Sequence, residues 1–126
     1  MTDTKAARPF ASALLALAAL LPTAAAAETN AFLSQLRSEL TATGHRCEAR
    51  ADELLCSNGT VATYASSAPD TVSAARKQGE RTYCGGYAAG QIEKGLFEGK
   101  AFTEVRVLSS TFSASGELVC LISYRR

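Results

Sequence analysis

An α+β domain in the order α-βββ-α-ββ is what this sequence predicts: an antiparallel sheet with two helices packed on it and two disulfides. Three observations carry that expectation. The apolar period changes along the chain from helical to twofold and back again. Cys47, Cys56, Cys84 and Cys120 all lie behind a leader-like N-terminus. The dipeptide Asn58-Gly59 separates two runs rich in strand formers.

The leader reads as residues 1–27. Lys5 and Arg8 form a basic start, Phe10 to Leu21 is apolar apart from Ser12, and Ala25-Ala26-Ala27 supplies small residues before Glu28. That order is the pattern of a cleavable signal peptide, with removal expected near Ala27. The apolar run is short against the roughly 20 residues that a membrane-spanning helix needs, so no integral membrane segment is expected after cleavage. Export implies an oxidising compartment, periplasmic or secreted, where cysteines pair.

Residues 28–126 are expected to form one disulfide-stabilised domain. Asn30 or Thr29 caps a first helix that carries Phe32, Leu33, Leu36 and Leu40 on one face, with Gly44 as its stop. From Arg46 the period is two. Strands are expected at about 45–50, 53–57 and 60–65 as a meander, the second turn being Asn58-Gly59 in a type I′ conformation.

A short first turn at Ala51-Asp52 sets Cys47 opposite Cys56 and Arg50 opposite Glu53. Such a non-hydrogen-bonded pair brings two Cα atoms to about 4.5 Å, inside the disulfide range. This favours Cys47 with Cys56 over the other connectivities, and Cys84 with Cys120 follows.

Ser67, Pro69 and Asp70 resemble a capping box opening a helix over about 69–98. Val72, Ala75, Gly79, Tyr83, Gly86, Tyr87 and Gly90 form its face, and Gly85-Gly86 is a candidate break. Strands at 102–109 and 117–124 close the domain around a turn at 113–116. Cys120 on the last strand clamps the second helix through Cys84. By the chain-entropy argument the two bridges contribute roughly 3 and 4 kcal/mol, a large part of a small domain's stability.

Composition excludes some functions. Without Lys5, Arg8 and Asp3, the chain's 13 basic and 12 acidic residues leave a neutral domain. Nucleic-acid binding, which needs a basic excess, is not expected. No metal or cofactor is expected either, since the cysteines lack the C-x-x-C spacing of a zinc knuckle. His45, the single histidine, follows a helix-ending glycine and has no nucleophile motif around it. Glu93, Glu98 and Glu104 are the nearest approach to a carboxylate pair and read as solvated surface. No catalytic residue is assigned.

Tyr83 and Tyr87, four apart among glycines, have two readings: a recognition surface, or rings filling the core while the glycines permit close helix approach. Over seven residues, Cys84 to Gly90 (CGGYAAG) resembles a helix motif of one group of periplasmic immunity proteins. Those proteins are helical where this chain closes in strands, and the segment assigns no family.

The expected function is a small exported binding module that acts on another protein by contact, as inhibitors and immunity proteins do. The candidate surface is Asn58 and Gly59, Tyr83 and Tyr87, and the 110–116 loop. The alternative is a non-catalytic structural or stress-related envelope component, with a small enzyme behind both.

Overall fold

The computed structural model describes residues 30–94 and 102–125, excepting the side chains of 92–94. The leader reading of residues 1–27 lies outside them. The elements are α1 (Ala31–Ala42), β1 (Arg46–Ala49), β2 (Glu53–Ser57), β3 (Val61–Ser66), α2 (Pro69–Gln78), α3 (Glu80–Lys94), β4 (Glu104–Phe112) and β5 (Leu118–Arg125). The strands form one antiparallel sheet in the order β1-β2-β3-β5-β4. Among the described residues, no helix is long and apolar enough to cross a membrane.

Local chemistry sets the first helix. The Asn30 side chain accepts from the Leu33 amide at 3.0 Å, which satisfies an amide that the helix itself leaves unpaired. At the other end Gly44 takes φ 93°. The amides of Gly44 and His45 return to the carbonyls of Thr41 and Leu40, a Schellman stop. Leu33 is buried against Leu54, Cys56 and Ala65, and Phe32, Leu36 and Leu40 pack around that cluster.

The first hairpin has the expected register. Cys47 faces Cys56, and the Arg50 amide donates to the Glu53 carbonyl across Ala51-Asp52. Both expected disulfides are present, Cys47–Cys56 and Cys84–Cys120.

Four expectations need correction. The long second helix is two helices, so the order is α-βββ-α-α-ββ. The break is at Gly79 rather than Gly85-Gly86: with φ 99° its amide closes α2 on the Ala75 carbonyl, and its own carbonyl accepts from Tyr83 to start α3. The capping box does not form, because α2 is capped by Ala68 without a side-chain bond. The Ala68 amide is held instead by the Ser66 hydroxyl at 3.1 Å.

The second hairpin turn is displaced by one residue. Asn58 pairs with Val61, so Gly59 and Thr60 are the central residues and Gly59 alone carries the positive φ, 104°. Gly at the first central position suits a II′-like turn better than the I′ expected. The Asn58 side chain decides the shift, since its Oδ1 accepts from the amides of both Thr60 and Val61.

The helices are not all on one side. α1 rests on β1 and β2, whereas α2 and α3 lie on the other face over β4 and β5. Ala62, Tyr64, Leu118, Cys120, Ile122 and Tyr124 point into the second, larger cluster with Ala75, Cys84, Ala88 and Phe102. β5 alternates accordingly, Leu118, Cys120, Ile122 and Tyr124 being buried while the residues between them are partly covered. Each face of the sheet is therefore covered on one half.

Candidate functional site

The sequence-derived surface does not come together. β3 pairs Val61 with Ser123 at one end and Ser66 with Leu118 at the other. The Asn58-Gly59 tip precedes Val61, and the 113–116 turn precedes Leu118. These tips stand at opposite ends of the sheet, about 17 Å of strand apart. Asn58 and Gly59 are exposed, but Tyr83 and Tyr87 lie elsewhere, half-buried on α3.

Where the tyrosines lie is the more informative feature. Sheet register puts Glu48, Leu55 and Tyr64 in one row across β1, β2 and β3, on the face that carries α2 and α3. From α3, the Tyr87 ring reaches over this row and stacks on Tyr64, with centroids 3.9 Å apart and planes 19° from parallel. Leu55 and Tyr83 pack beside the pair. The result is a tyrosine shelf at the border of the larger cluster, Tyr87 lying over the buried Tyr64, and the charges felt by the rings come from the first hairpin: Glu48, Arg50, Asp52 and Glu53.

The rim's charge is felt by the rings. Burial pushes the Tyr64 hydroxyl up to about 12, with the Glu53 carboxylate adding to it. Burial raises Tyr87 further, followed by neighbouring Tyr64 and by Glu53, while Arg50 works the other way. Arg50 forms an exposed ion pair with Glu53 at 3.6 Å. Among the described residues, no protein group hydrogen-bonds the Tyr87 hydroxyl. A phenol anchored by stacking beside carboxylates is equipped to meet a donor or cation.

Tyr83 and Tyr87 pack against the larger core cluster and remain partly exposed. The glycines between them do not act as expected. A Cβ added at Gly85, Gly86 or Gly90 would meet nothing within 4 Å, so none is required for close packing.

A second polar centre escaped sequence reasoning. Glu117 is only 5% exposed, yet ionised. Burial alone would raise its carboxyl, but hydrogen bonds from Ser113, Ser115 and Asn30 outweigh that and hold it at about 2. Ser115 donates at 2.6 Å and the Asn30 amide at 2.9 Å, and Ser113 donates as well. Because Asn30 also caps α1, this carboxylate ties the first helix to the β4–β5 turn. The only sequence signal was the alternation Ser113, Ser115, Glu117, which reads equally well as an ordinary turn. Beside it an open cleft of about 440 Å³ is lined by Ser67, Ser73, Arg76 and Gly116, among others. The Arg76 guanidinium lies 4.2 Å over the Phe112 ring.

The residues weighed for catalysis are scattered. His45 is half-buried, with Nδ1 3.2 Å from the Thr43 hydroxyl. Glu104 pairs with Arg125 at 3.0 Å on the exposed end of β4. The Glu93 side chain and Glu98 lie outside the described residues. All four cysteines are in disulfides, and among the described residues no cluster of three or more metal-ligating side chains occurs. No family model, no curated protein and no solved structure matches this chain.

Proposed function

We propose that the chain is an exported protein-binding module whose contact surface is the tyrosine shelf. The observation that carries this reading is the partly exposed Tyr87 ring, stacked on Tyr64 beside the charged first hairpin, its hydroxyl without a hydrogen bond among the described residues. Glu48, Asp52 and Glu53 outnumber Arg50 on the adjoining hairpin, so the favoured partner presents a lysine or arginine toward the rings. That cation would compete with Arg50 for Glu53, whose internal pair is long and exposed and therefore contributes little. The rings are already fixed by packing, so little conformational entropy is lost on binding. Occlusion of a partner's surface, as an inhibitor or immunity protein achieves it, needs no more than this.

The test begins with the full chain expressed with its leader. Intact mass of the exported product reports whether residues 1–27 are removed. The oxidised product is then used as bait against envelope and secreted proteins. With a saturable partner in hand, Tyr87→Phe, which keeps the stack and removes the hydroxyl, is expected to weaken binding about fivefold. Glu48→Arg, at an exposed position, is expected to weaken it about tenfold or more. Wild-type affinity in both variants removes the shelf from the contact. Absence of any saturable partner removes the binder reading in favour of an envelope component.

A further inference from the structure

The two disulfides differ in access. Cys84, Cys120 and Cys56 are fully buried, whereas Cys47 is half-exposed. Cys47 lines an open cleft together with Arg37, Thr41, His45, Arg46 and Glu48. Arg37 and Arg46 against Glu48 give the lining a formal balance of one positive charge. The Thr41 hydroxyl points at the Cys47 sulfur from 3.7 Å. β1, which carries Cys47, is a four-residue edge strand whose ladder pairs with β2.

We infer that Cys47 is a thiol–disulfide exchange site for an anionic thiolate. The attacking sulfur reaches Cys47, because Cys47 lines the cleft whereas Cys56 is fully buried, and bonds to it. The Cys47–Cys56 bond breaks with its electron pair on the Cys56 sulfur, which takes a proton from water as β1 lifts from β2. A second thiolate then attacks the incoming sulfur of the mixed disulfide. Cys47 leaves as a thiolate beside the Thr41 hydroxyl, in the field of the Arg37 guanidinium across the cleft. The balance is two electrons: two external thiols become one disulfide, and the bridge becomes two thiols. The cleft's charge selects the reagent, favouring an anionic thiol over a cationic one. Opening here frees one edge strand and leaves the Cys84–Cys120 core closed. The inference does not depend on the tyrosine shelf.

The wild-type oxidised protein is treated separately with reduced glutathione, which is anionic, and cysteamine, which is cationic, at low salt. Rates are expressed per thiolate, and the products are mapped by mass spectrometry. The expected result is a mixed disulfide on Cys47 with Cys84–Cys120 intact, native near-UV circular dichroism, and a rate about tenfold higher for glutathione. Arg37→Gln is expected to narrow that ratio, as is added salt. Equal rates for the two thiols overturn the inference. So do first attack at Cys84–Cys120, or loss of both bridges in one step. A dithiol protein of the C-x-x-C type, run as a third arm, distinguishes a protein reductant from a small thiol by which gives the faster complete reduction.

Discussion

The two halves of the sheet are built alike and filled differently. On the β4–β5 half, α2 and α3 close over a cluster of ten buried residues, and the Cys84–Cys120 bridge lies within it. On the β1–β2 half, α1 alone covers a cluster of four, and the Cys47–Cys56 bridge stands at its edge. Chain entropy separates the bridges by only about 1 kcal/mol. Their surroundings separate them further, because one joins a helix to an interior strand while the other spans a hairpin already held by its own ladder. A half with a small core and an accessible bridge can open at modest cost, and both the tyrosine shelf and the exchange site border it. The rigid half positions and the lean half presents.

The largest effect should come from the rigid half. Replacing Cys84 and Cys120 together by alanine is expected to cost about 4 kcal/mol. That is close to the whole stability of a marginal domain, and it is read by urea denaturation. A smaller loss than from alanine at Cys47 and Cys56 would invert the comparison.

Next is the link between the halves. Glu117 is held at about 2 in the folded chain against an ordinary 4.5. The folded state thus favours the ionised form, and this stabilisation, about 3 kcal/mol, is complete above pH 4.5 and is lost as pH falls toward 2. Glu117→Gln should remove a similar amount at neutral pH, partly because its new amide would face the Asn30 amide donor to donor. The variant's stability should also be flat where the wild type falls between pH 4.5 and 2. Denaturation at a series of pH values checks this, and an unchanged acid profile would mean that the carboxylate does not hold α1 in place.

The smallest effect is a gain. Gly86→Ala and Gly90→Ala meet open space within α3 and should each stabilise by about 0.5–1 kcal/mol, seen as a rise in Tm. Destabilisation would mean that α3 packs more tightly than its open surface indicates.

Much of the fold was legible. The helix of Phe32, Leu33, Leu36 and Leu40, the first hairpin's register and the Cys47–Cys56 bridge follow from period and spacing, because a tight turn fixes which residues face each other; Cys84 with Cys120 followed as the remaining pair. What went astray depended on local competition or on distant partners. Asn58 drew the second turn one residue along by accepting two amides with its side chain. Ser66 outcompeted Ser67 at the start of α2. Gly79 rather than Gly85-Gly86 broke the helix, since one glycine at positive φ ends a helix more readily than glycines that remain helical. The candidate site was legible only in part: Tyr83 and Tyr87 were named, but Glu48 and Glu53 beside them and the distant hairpin tips were not sorted.

The sequence by itself determined the element types, the strand meander and the facing of Cys47 with Cys56, because each depends on contacts within one turn or on an alternating pattern. Only the tertiary structure decided that α1 and α3 take opposite faces and opposite halves of the sheet. That choice stacks Tyr87 on Tyr64, buries Glu117 against Asn30 and leaves Cys47 open while Cys84 is closed. Amphipathic period says that a helix has an apolar face; it does not say which side of a sheet will receive it, because both sides offer the same kind of surface.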